Sequence, residues 1–132
     1  MMRQPFRFLF LILTVALLAT VASAADTKVE EVDTEAAAKL VEEKKVSVLD
    51  VRTPAEFSEG HIKDAQNIDF TDDNFKQELG KLDKEKPYLL HCEAGGRSAK
   101  SLKALKSLGF KNVYHYSGGI RDWREKGKPL VK

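Results

Sequence analysis

The sequence predicts an α/β domain with a central, mainly parallel sheet flanked by helices. Three observations carry the prediction: short apolar runs rich in β-branched residues, stretches of helical period lying between them, and reactive residue types placed where the runs end. The runs are residues 46–51, 65–70, 88–90 and 112–116. Strands separated by helices pair in parallel, and in such sheets sites gather outside the strands' carboxyl ends, where Asp50 and Cys92 both fall.

Taken in order, residues 26–33 form a polar entry with only Val29 and Val32 as apolar members, too little to define a strand. Thr34 is placed to cap a helix reaching about Lys45, with Ala37, Ala38, Leu40 and Val41 on its buried side. Residues 46–51 and 65–70 follow as strands, residues 73–82 as a helix, and Tyr88-Leu89-Leu90 as the next strand. Ser98 is placed to cap a helix from about Ala99, whose Ala99, Leu102, Leu105 and Leu108 share one side and which stops at Gly109. Residues 112–116 close the set, and Trp123 reads as a core anchor. There is no internal repeat and no low-complexity tract.

Residues 1–24 are expected to be a secretory signal peptide. Arg3 and Arg7 precede the apolar stretch 8–22, which ends in the small-x-small sequence Ala22-Ser23-Ala24. That stretch has 15 residues, short of the roughly 20 that cross a bilayer, so no stable membrane anchor is expected after cleavage. The remaining residues 25–132 number 108, enough for one domain. The whole chain carries 22 basic and 20 acidic residues; without the two leader arginines the charges balance and are interspersed, which disfavours nucleic acid or a membrane surface as partner. Export implies an oxidising compartment, yet the single cysteine has no partner within the chain.

That cysteine lies in His91-Cys92-Glu93-Ala94-Gly95-Gly96-Arg97-Ser98. A buried strand delivers the sulfur, Gly95 and Gly96 let the loop curl so that N–H groups point inward, and the following helix start and Arg97 favour thiolate over thiol. The plain alternative, a small buried hydrophobe, does not require an anion-binding turn around it. His91 is adjacent to Cys92 in strand and so faces away from it, and no nearby Asn or Asp completes a protease-like triad. The chain's three histidines and one cysteine show no metal-ligand spacing. Lys100, Lys103 and Lys106 form a basic stripe, either a solvated helix face or a steering surface for an anion.

Two further motifs flank this loop: Leu49-Asp50-Val51-Arg52-Thr53-Pro54-Ala55-Glu56-Phe57-Ser58-Glu59-Gly60-His61-Ile62 and Gly118-Gly119-Ile120-Arg121-Asp122-Trp123. With the cysteine loop between them, the set resembles the rhodanese (thiosulfate sulfurtransferase) family, most of all its small exported single-domain members of the phage shock protein E type. The resemblance implies a rhodanese-like fold and a Cys92 that takes a sulfane sulfur from a donor, thiosulfate or another persulfide donor, holds it as a persulfide and passes it to a thiophilic acceptor. Cyanide serves in vitro and a thiol or protein thiol in vivo. It implies that Glu93, Ala94, Gly95, Gly96 and Arg97 form the donor-binding loop, that Asp50 belongs to a supporting polar network with Arg52 and His61 as candidate partners and Ser98 nearby, that no metal or organic cofactor is needed, and that the protein is a monomer. Four residues separate Cys92 from Arg97, the short loop that resembles sulfurtransferases rather than the related phosphatases with five.

Glu93 departs from the family's more usual basic or neutral residue after the cysteine. At about 4 Å from a donor charge its repulsion runs from about 1 kcal/mol in water to about 4 at an effective dielectric of 20. Pointing into solvent, it would do little. Three function classes stand: an exported sulfurtransferase, a catalytically quiet partner-binding module, and a thiol redox sensor, which would need a resolving thiol from elsewhere.

Overall fold

The computed structural model describes residues 26–132, so the expected leader lies outside the described residues. The polar entry does form a strand, β1 (Lys28–Glu31). It pairs in parallel along residues 112–115 and packs Val29 against the core, so its partner rather than its own apolar content makes it a strand. The helix α1 (Thr34–Glu42) is capped by Asp33, whose carboxylate accepts from the Ala36 N–H at 2.8 Å. Thr34 is therefore not the cap; its buried hydroxyl lies 2.6 Å from that of Tyr116. The helix also stops short of Lys45, because Lys44 has left helical space with φ 53°.

The strand β2 (Ser47–Asp50) leads into a short helix, α2 (Pro54–Glu59). Thr53-Pro54-Ala55-Glu56 explains α2: Thr53 and Glu56 form a reciprocal capping box and Pro54 occupies the first turn. The strand expected over 65–70 shrinks to β3 (Gln66–Asn67), since the amide of Asn67 donates to the carbonyls of Asp50 and Arg52. Beyond it the chain follows β2 irregularly, through single bonds from Ile68 and Phe70. The remaining elements are α3 (Phe75–Gly80), β4 (Pro87–His91), α4 (Gly96–Leu108), β5 (Asn112–His115) and α5 (Gly119–Glu125). Gly109 ends α4 in the left-handed conformation, φ 84°, as expected of a glycine just past a helix. Among the described residues no helix is long and apolar enough to cross a membrane.

The five strands lie in the order β1-β5-β4-β2-β3, and every pairing is parallel. Alternation along β4 divides the core. Tyr88, Leu90 and Cys92 face the side covered by α3 and α4, with Leu79, Leu105 and Phe110; Leu89 faces the other, with Ala37, Ile62, Ile120 and Trp123. The buried residues of α4 are Ser98, Ser101 and Leu105, while Ala99 is exposed, so the helix turns a more polar side inward than its leucines suggest. Trp123 is buried against Tyr116, and its indole N–H donates to the Pro129 carbonyl at 2.9 Å. The last residues bend back there, Val131 and His61 exchanging two backbone bonds of 2.9 and 2.8 Å.

Candidate active site

Cys92 follows directly on β4 and is fully buried, and its sulfur lies at the floor of the loop leading into α4. The Gly95 N–H donates to Sγ at 3.1 Å, and the Ser98 hydroxyl oxygen lies 3.4 Å from it. Burial pushes the thiol pKa up. The Ser98 hydroxyl and the N–H groups of Ser98, Gly95 and Ala94 outweigh it and leave the pKa below the ordinary thiol value. Ser98 does not cap the helix. The helix begins at Gly96 behind Gly95 at φ 98°, and Ser98 instead joins Sγ to its surroundings.

The loop holds its shape because α5 grips it from outside. Ile120 N–H donates to the Cys92 carbonyl at 3.1 Å and Arg121 N–H to that of Glu93 at 3.0 Å. With these carbonyls turned outward, N–H groups are left to face the sulfur. Gly119, at φ 64°, makes the approach feasible, since a Cβ there would sit 2.5 Å from the Cys92 oxygen and 2.4 Å from that of Glu93. Gly119 is thus a packing requirement of the cysteine loop.

Behind the loop lies a buried ionic network. The Arg52 guanidinium, fully buried, donates to both Asp50 oxygens, from Nη2 at 2.8 Å and Nε at 3.0 and 3.1 Å, and also to the Gly60 and Glu56 carbonyls. Every donor direction finds oxygen, which is what makes a buried guanidinium tolerable. His61 does not join this network: its ring stacks on Phe57 at 3.7 Å and its Nδ1 bonds the Phe57 carbonyl. The histidine beside Asp50 is His91, with Nε2 at 3.7 Å from Oδ2. An aspartate therefore does lie near His91, but Nδ1 of His91 bonds the Cys92 carbonyl rather than the thiol. Burial, against the opposing charge of Asp50, holds the His91 pKa below the usual imidazole value.

The two charged loop residues are both paired. Glu93 accepts from Arg124 at 2.7 Å and lies 3.5 Å from Arg52, so it neither points freely into solvent nor stands uncompensated at the donor site. Arg97 donates through both terminal nitrogens to Glu56, at 2.6 and 2.9 Å. Ala94 and Gly96 contribute exposed backbone to the same loop. Sequence reasoning misses Glu56 and Arg124 as members of the site. The capping box was a readable signal for the helix that carries Glu56; Arg124 had no signal, because only the fold brings α5 beside the loop.

A rhodanese-like domain model matches residues 33–126, from the cap of α1 to the end of α5. The chain belongs to the rhodanese-like family. A sulfurtransferase from Allochromatium vinosum is 30% identical over 104 residues, covering 78% of this chain and 95% of that protein. A rhodanese-related protein from Thermoplasma volcanium superposes with a TM-score of 0.67 at 35% identity, covering 77% of this chain and 97% of the other. A polysulfide-sulfur transferase homodimer from Wolinella succinogenes superposes with a TM-score of 0.63 at 30% identity, covering 78% of each chain. The chain spans only 22% of the length of a probable adenylyltransferase/sulfurtransferase from Mycobacterium tuberculosis, to which it is 37% identical over 86 residues. The rhodanese-like fold is thus established, and sulfurtransferases stand among the relatives of the chain.

Proposed function

We propose that the protein is an exported sulfurtransferase that carries a sulfane sulfur as a persulfide on Cys92. The observation that supports this reading most is the sulfur itself: buried, met by the Gly95 N–H at 3.1 Å and close to the Ser98 hydroxyl, with its pKa lowered. In the reaction the thiolate attacks the donor's sulfane sulfur and the donor's S–S bond breaks, its leaving group taking the electron pair. The acceptor's nucleophile then attacks the outer sulfur and returns the thiolate. Preorganised N–H groups favour both steps, because each develops negative charge in the loop.

The charges around the loop bear on the donor. Arg97, Arg52 and Arg124 are each engaged by a carboxylate, so no guanidinium of this cluster stands free to receive a dianion. A donor of lower charge, such as an organic persulfide, therefore suits the site better than a dianion such as thiosulfate. Residues 1–24 act as the leader, and the processed protein works as a monomer outside the cytoplasm.

Intact mass after incubation with thiosulfate, polysulfide and a low-molecular-weight persulfide tests the proposal. A gain of one sulfur that cyanide removes is expected, and Cys92→Ser abolishes both the gain and the transfer, since a hydroxyl holds no persulfide. No gain with any donor overturns the reading in favour of a quiet binding module; a gain of oxygen alone overturns it in favour of a redox sensor. Protein recovered from the exported fraction is expected to begin at Ala25.

A further inference from the structure

His115 is a buried histidine, 3% exposed, that stands apart from the network of Asp50, Arg52 and His91. It ends β5 on the same face as Val113, opposite Leu90 of β4, which turns its ring toward the Cys92 side of the sheet. Its Nε2 lies 2.8 Å from the Ser98 oxygen, the same oxygen that lies 3.4 Å from Sγ. Its Nδ1 lies 2.5 Å from a carboxylate oxygen of Glu31 on β1, an edge residue whose side chain is largely in solvent. A carboxylate on Nδ1 fixes the tautomer: the proton sits on Nδ1, and the lone pair of Nε2 faces Ser98.

We infer that Ser98 and His115 form a relay that accepts the Cys92 proton, with Glu31 orienting the ring and leading the proton out to solvent. The balance is simple. The thiol donates to the Ser98 oxygen, and the Ser98 hydroxyl proton passes to Nε2. The products are a thiolate that accepts from Ser98 and an imidazolium held between Ser98 and the Glu31 carboxylate. No net charge is created. Two opposite charges replace a neutral pair, in a place where Glu31 already carries the compensating anion.

A pair serving only to join β1 to β5 would leave the second ring nitrogen free to face anything. Here it faces the Ser98 hydroxyl that lies beside the reactive thiol. The charged groups around the ring are Glu31 from β1 and, through Ser98 on α4, Cys92; Arg97 lies within charge range of the thiol, and Asp33, Asp122 and Lys126 line the open cleft beside Glu31. His91, the other buried histidine, is committed to the Cys92 carbonyl.

The inference rests on Cys92 as the reacting thiol, and its test follows protons rather than sulfur. Ultraviolet absorbance of the thiolate, corrected with Cys92→Ser, reports one group, because the chain has one cysteine. His115→Gln and Ser98→Ala are expected to raise the thiolate midpoint by about one pH unit or more, and Ser98→Thr to restore it by keeping a hydroxyl. Glu31→Gln is expected to give a smaller rise in the same direction. A His115→Gln titration that overlays the parent overturns the relay and leaves Ser98 as a simple donor. Should that variant fail to fold, nitrogen NMR of the unaltered protein decides. The ring of His115 is expected to be protonated while the thiolate exists; a ring that stays neutral through the whole range in which the thiolate forms overturns the inference. A protein that shows this coupling yet loads no sulfur from any donor refutes the sulfur-transfer reading alone.

Discussion

Glu93 sits between two guanidinium groups, which changes what its charge does to an arriving anion. With Arg124 at 2.7 Å and Arg52 at 3.5 Å, the carboxylate is largely neutralised, and it in turn neutralises them. Glu93→Gln leaves Arg124 without its carboxylate, while Arg52 keeps Asp50, and is expected to raise kcat/KM for thiosulfate about fivefold at low salt, the equivalent of about 1 kcal/mol. The gain shrinks as ionic strength rises and is much smaller for a donor of lower charge. Equal thiosulfate kinetics in the two proteins at both salt levels would show that Glu93 is a bystander. At this scale the sequence is legible where chemistry is local. Thiol, glycines and Arg97 occupy one short stretch and declare a reactive loop, and Asp50 with Arg52 lie two residues apart. Arg124, Glu56 and His115 join the site only through the fold; the capping box marks the helix that carries Glu56 but not its reach to Arg97.

Among the elements, α2 and α4 are joined across the mouth of the loop by Glu56 and Arg97. The Arg97 guanidinium, against the opposing effect of burial and with help from Thr53, holds the Glu56 carboxyl pKa down to about 2, from an ordinary 4.5. A carboxyl whose folded pKa lies below its unfolded one stabilises the fold fully above about 4.5, and that contribution fades as pH falls toward about 2. Glu56→Gln is therefore expected to flatten the fall in urea midpoint over that window, while lowering stability near neutrality. Parallel curves for the two proteins would mean the ion pair contributes nothing. Element prediction succeeds where the signal lies inside the element, as at Gly109 and along β4. It fails where a competitor decides: Asp33 outbids Thr34 because Thr34 has Tyr116 to bond, β3 is cut short by the Asn67 amide, and β1 exists only because β5 offers an edge.

For the molecule as a whole, the last residues act as a strap. Ending the chain before Pro129 removes the two bonds between Val131 and His61, the Trp123 bond to Pro129 and the packing of Leu130 against the core. At about 1 kcal/mol per bond the loss is about 3 kcal/mol, which lowers Tm by about 10 °C or more in a domain of this size. An unchanged thermal midpoint would show the strap to be idle. The two rims of the sheet have a different consequence. β1 presents Lys28, Glu30 and Glu31 with one apolar residue, Val29, and β3 offers only two residues of ladder. A second chain arriving at either rim meets charged side chains on one and almost no template on the other, so the sheet does not seed strand-by-strand aggregation.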